Sequence, residues 1–103
     1  MNLESFFEDK KEDLYSERVD IETRRRTRLA VAAYAYEIIN QPIMTDAEFD
    51  TLAKQIDLSV NTRRPELDKW FRENFELHTG MWIHKHPDKR RLDQLATNIL
   101  SKR

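Results

Sequence analysis

Residues 34–50 read YAYEIINQPIMTDAEFD, and the fold turns on them. The middle of the stretch carries a helix start in full. Thr45-Asp46-Ala47-Glu48 is a capping box: the threonine hydroxyl accepts from the Glu48 N–H, and the Glu48 carboxylate reaches back to the Thr45 N–H. Met44 before the cap and Phe49 after it form the matching hydrophobic staple. Asn40, Gln41 and Pro42 end the preceding helix, because the residue before a proline is pushed out of the helical region. These few residues predict two helices joined by a short loop. They also set Asp46, Asp50, Tyr36 and Phe49 to line one small pocket.

Working back, Leu29 to Ile39 is apolar nearly all round, which predicts a helix central to its domain. A polar run from Glu22 to Arg28 opens that helix, and Asp20 is expected to cap it. Further back, Leu3, Phe6, Phe7, Leu14 and Tyr15 lie at helical spacing, interrupted by Lys10 and Lys11, and predict a first helix.

Working forward, Phe49, Leu52, Ala53 and Ile56 make one core face. Asn61 to Arg64 is a loop. Pro65 suits a first helical position, and Leu67, Trp70, Phe71 and Phe75 share the face that follows. The only glycine, Gly80, is expected at a left-handed helix end. Met81 to His86 reads as irregular or briefly extended. Pro87 is expected to open a last helix with Leu92, Leu95, Ala96, Ile99 and Leu100 on its core face. Lys89, Arg90 and Arg91 sit where the helix dipole does not favour cations, so they are expected to be solvated or engaged with a partner.

The expected fold is therefore all-α: one compact domain, residues 1–103, of four to five helices around a central second one. With 103 residues there is room for one modest core. A net charge of −1 supplies no overall basic field toward nucleic acid or membrane. The absence of cysteine excludes disulfides and thiolate zinc sites and fits a cytoplasmic home. The opening MNLESFFEDKKED is acidic and lacks the apolar run of a signal peptide, and no stretch nears the ~20 apolar residues of a membrane span.

The stretch Arg28–Leu67 resembles the small N-terminal helical domain of bacterial NAD-dependent DNA ligases. The residues that carry the resemblance are Tyr34 and Tyr36, then Pro42, then Met44-Thr45-Asp46-Ala47-Glu48-Phe49-Asp50-Thr51-Leu52, then Pro65-Glu66-Leu67. In that family the domain closes over NAD and holds its nicotinamide mononucleotide half. The gripping residues there are a Tyr-His pair and an Asp, a Tyr and an Asp at the next helix start. The resemblance implies that Tyr36, Asp46 and Asp50 hold the matching places. Glu37 stands in place of the histidine and Phe49 in place of the second tyrosine. Glu37 puts a like charge near a phosphate, and Phe49 loses a hydrogen bond worth ~1 kcal/mol. The inherited pocket is thus degraded for that ligand. Residues 68–103 continue as a C-terminal helical extension outside the resemblance.

The ligases also carry a nucleophilic lysine in a Lys-x-Asp-Gly motif on a separate domain. Here the sole glycine follows His78-Thr79, so the motif is absent and no catalytic residue or cofactor is expected.

Three further features call for a reading. Arg24, Arg25, Arg26 and Arg28 are the densest basic cluster; they spread around the helix and suit a solvated helix start, or contact with phosphates or an acidic protein. His78, His84 and His86 lie close in sequence, but no thiolate or evident carboxylate completes a zinc set, so no metal site is expected. Trp70 and Trp82 are candidates for partner contact, Trp82 above all, since tryptophan is enriched at interface hot spots.

The favoured expectation is a non-catalytic binding module acting through another protein, with Trp82, Trp70, Arg24, Arg25 and Arg28 as partner-contact residues. The alternatives are a binder of a nicotinamide nucleotide or related compound through Tyr36, Glu37, Asp46, Phe49 and Asp50, and a nucleic-acid contact through the arginines.

Overall fold

The computed structural model describes residues 13–103. Among them are four α-helices and no strand. They are α1 (Glu17–Tyr34), α2 (Asp46–Gln55), α3 (Pro65–Asn74) and α4 (Lys89–Ser101). A π-helical turn, Ala35–Ile39, extends α1, and a 3-10 turn, Met81–Lys85, precedes α4. The architecture is all-α, as the patterning predicts. The expected helix through Leu3, Phe6 and Phe7 lies outside the described residues, and Leu14 and Tyr15 sit in an exposed turn rather than a helix.

Helix α1 is the centre. It packs against α4, α2 and the 3-10 turn. Every residue from Leu29 to Ala35 is buried, and most of them are small, which lets neighbours close in from several sides. The apolar run does not stay buried to Ile39, however. Tyr36 is 54% exposed and Ile38 38%, because the chain leaves α-helical pitch at Ala35.

Ser16, not Asp20, caps α1: its hydroxyl accepts from the Val19 N–H at 3.3 Å. A turn closed by the Ser16 N–H on the Asp13 carbonyl starts the helix one turn early, leaving Asp20 to pair with Arg63 at 3.1 Å. Thr45 caps α2 with both bonds of the capping box at 3.1 Å, and Pro65 opens α3. Helix α4 begins at Lys89, two residues after Pro87, where the Asp88 carboxylate accepts from the Arg91 N–H.

Gly80 ends no helix; it stands just before the 3-10 turn, and its carbonyl accepts from the Ile83 N–H at 3.1 Å. Its φ is −100°, and α3 has already ended at Phe75 in an extended conformation. Gly80 sits beside Ala33 and Phe49 with room for a methyl group. A Cβ there would meet the Ala33 Cβ at 3.4 Å and the Phe49 ring at 3.6 Å. The segment after it is helical, not extended, so His84 and His86 are not set on one side of a strand.

A buried polar knot joins α1 to α3. Arg26 donates to Glu22 Oε2 at 2.8 Å, to Asp68 Oδ1 at 2.8 Å, and to the carbonyls of Asp57 and Val60 at 2.8 and 2.9 Å. Asp68 accepts in addition from the Thr62 N–H and hydroxyl, and Glu22 from the Asp57 N–H. This arginine thus belongs to the core, not to the solvated cluster its neighbours suggest.

An aromatic cluster fills the space beside the knot. Trp82 lies 5.8 Å from Phe71 and 5.4 Å from Phe75 between ring centroids, and Trp70 stands edge-on to Phe71 at 5.1 Å.

Candidate functional site

A cleft of about 360 Å³ opens between the π turn, the start of α2 and the Leu77–Gly80 loop. The π turn sets its first wall. Asn40 ends that turn in the left-handed region (φ 64°), and the N–H groups of Asn40 and Gln41 both donate to the Ala35 carbonyl. The wide turn brings Tyr36 and Glu37 to the same side as the first turn of α2, and π turns recur at functional sites. The capping box sets the second wall by fixing where α2 begins, which places Asp46, Phe49 and Asp50. Gly80 places the third wall beside Ala33 and Phe49.

All five pocket residues expected from the sequence, Tyr36, Glu37, Asp46, Phe49 and Asp50, therefore line one cleft. Sequence reasoning missed the third wall, which adds Leu77, His78, Thr79 and Gly80. No local signal announces that loop, and the lone glycine reads as a helix end instead.

The charge in the cleft is acidic. Asp50 pairs with Lys54 at 3.0 Å, the i,i+4 pairing open to these residue types. Glu37 lies 3.8 Å from His84 Nε2. No lysine or arginine is among the lining residues. The rest of the lining is mixed: Phe49, Pro42, Ile43 and Met44 are apolar, and Tyr36, His78 and Thr79 add polar groups.

The expected partner-contact residues are scattered. Trp82 is a correction: only 4% exposed, it is held by the aromatic cluster and by an Nε1–H bond to the Thr79 carbonyl. Trp70 is half-buried and donates to the Lys85 carbonyl at 2.9 Å. Arg24 and Arg28 are exposed, and Arg25 Nη1 lies 3.9 Å from Glu22 Oε1.

The histidines do not converge either. His86 is buried, accepts the Asp88 N–H at Nδ1, and has a pKa depressed to about 4, chiefly by burial. His78 lines the cleft and His84 is exposed. Among the described residues no three metal-ligating side chains come together, and no helix is long and apolar enough to cross a membrane.

Compared with protein-family models, with curated proteins and with solved structures, the chain gives no match.

Proposed function

We propose that this chain is a non-catalytic binding module that works through contact with another protein, and that its contact surface is centred on the cleft. The observation that carries this reading is the convergence of Tyr36, Glu37, Asp46, Phe49 and Asp50 on one half-open cavity. Large apolar side chains stand exposed around it: Tyr36 and Leu77 in its wall, with Ile38 and Met81 next in the chain to Glu37 and Gly80. Exposed apolar surface gathered around a concave site is the usual mark of a binding face.

The test is partner capture that depends on the cleft. Immobilised wild-type chain should retain a defined partner from native lysate. Tyr36→Ala and Asp46→Ala should lose it, and an Arg24→Ala, Arg25→Ala, Arg28→Ala triple variant should keep it. Capture that survives both cleft variants, or that fails only in the arginine variant, would overturn the reading.

A second reading is a small-molecule site for a nicotinamide nucleotide. It is favoured by the fact that the five clustered residues are those the ligase resemblance points to, and by a cavity of small-ligand size. The acidic lining opposes a phosphate-bearing ligand. Calorimetry with nicotinamide mononucleotide should accordingly give no affinity tighter than about 100 μM. A micromolar constant, lost on Asp46→Ala or Asp50→Ala, would promote this reading over the first.

A further inference from the structure

We infer that the cleft is built to receive an arginine side chain presented by an apolar segment of a partner protein. The inference rests on the binding-module reading and deepens it by naming the group that enters.

Charge is the first argument. The cleft gathers the carboxylates of Glu37, Asp46 and Asp50 and no lysine or arginine. Among the described residues Asp50 pairs with Lys54 at 3.0 Å, Glu37 lies 3.8 Å from His84, a pair that is ionic only when that ring is protonated, and Asp46 makes none. Lys54 and His84 are 60% and 47% exposed at the side chain, so both pairs are weak and easily exchanged for a better one. The Glu37 side chain is only 18% exposed, so a cation reaching it would meet it partly shielded from water.

Shape is the second argument. Apolar groups share the cavity wall with the carboxylates: Ala33, Phe49 and the Glu37 stem all lie within contact range of a methyl placed at Gly80. A guanidinium on a three-carbon stem suits such a wall. Its stem covers apolar surface, its flat face stacks on an aromatic ring, and its fork bonds carboxylates in pairs. Tyr36 and Phe49 supply the rings.

Extent is the third argument, and it selects a protein over a small cation. A lone small cation would occupy only part of a cavity of about 360 Å³ and leave the exposed Ile38 and Met81 uncovered. Apolar residues on either side of the arginine in a polypeptide would cover them.

The test uses a synthetic probe, the blocked peptide acetyl-Ala-Leu-Arg-Leu-Ala-amide, and its analogue with neutral citrulline in place of arginine. Nuclear magnetic resonance titration of the full chain should show shifts at Tyr36, Phe49 and Gly80. The arginine peptide should bind at least about tenfold tighter than the citrulline peptide, the scale expected of a charge-assisted pair. Asp46→Asn and Glu37→Gln should each abolish most of that preference. Equal binding of the two peptides, shifts away from the cleft, no binding of either, or free guanidinium binding as tightly as the peptide would overturn the inference. If lysate capture depends on the cleft while the arginine peptide fails, the inference falls and the binding-module reading stands. If capture ignores the cleft, that reading falls by itself.

Discussion

Arg26 Nη1 lies 2.8 Å from Asp68 Oδ1, linking the middle of α1 to the first turn of α3 across 42 residues of chain. Both side chains are almost wholly buried, at 5% and 3% exposure. The guanidinium also ties down the Asp57–Val60 turn, so one side chain fixes three segments. Removing one partner of a buried pair strands the other's charge. Arg26→Ala should therefore cost about 3–5 kcal/mol in urea unfolding. A loss under about 1 kcal/mol, the value of an exposed pair, would mean the knot is solvated.

Thr45→Ala should cost ~1 kcal/mol, the ordinary value of an N-cap. The cap also sets the pH response of Glu48, whose pKa is lowered first by the Thr45 backbone hydrogen bond and then by the threonine hydroxyl. A carboxylate depressed in the folded state stabilises above its unfolded pKa, and the gain is lost as pH falls through the folded value. Thr45→Ala should thus weaken the acid sensitivity of the fold below about pH 4.5, read as unfolding midpoints across pH. A variant as stable as the parent at every pH would remove the cap from the account.

His86 should make stability fall between pH 6.5 and about 4. Its ring is neutral when folded, since burial opposes the charge and Nδ1 accepts the Asp88 N–H. Asp88 pulls the other way, and Lys89 and Arg64 add to the depression. In this window the unfolded chain holds the proton that the folded chain refuses, so acid favours unfolding; the slope disappears below about pH 4, where both states are protonated. His86→Gln should flatten this part of the profile. An unchanged slope in the variant would assign the effect to other groups.

Gly80→Ala should separate stability from binding. The new Cβ would touch Ala33, Phe49 and Glu37 at 3.4 to 3.7 Å, which the site accommodates without displacing backbone. Since φ is −100°, alanine is not strained there, and a stiffer unfolded chain should hold stability level or raise it by ~0.4–1 kcal/mol. The same methyl narrows the cleft, so capture of a partner should weaken while the melting temperature holds. A melting drop of several degrees would mean that the Gly80 neighbours cannot give way.

What the sequence made legible was local. The capping box at Thr45, the proline at the start of α3 and the apolar stretch through Leu29–Ala35 each depend on neighbours within a turn or two. The clustering of Tyr36 with Asp46 and Asp50 followed from the same short loop. Illegible were features settled by distant partners. Arg26 looks like any arginine in a basic run until Asp68 and the Val60 carbonyl arrive from the far side of α2. Trp82 looks like a surface anchor until Phe71 and Phe75 close on it. Asp20 and Ser16 are both competent caps, and only the upstream turn at Asp13 decides between them.

The π turn at Ala35–Ile39 has a genetic reading. A π turn holds one residue more than an α-helix needs, and each residue of α-helix rotates the chain by ~100°. Losing the codon for Ala35 would let the helix run on at ordinary pitch and turn Tyr36 and Glu37 by ~100° about its axis, off the cleft. The buried run before Ala35 and the polar knot at Arg26 would keep their register. Such a deletion should leave the helical circular dichroism intact and abolish cleft-dependent capture. Gain or loss of the site is therefore one small mutational step, separable from the much larger task of keeping the chain folded.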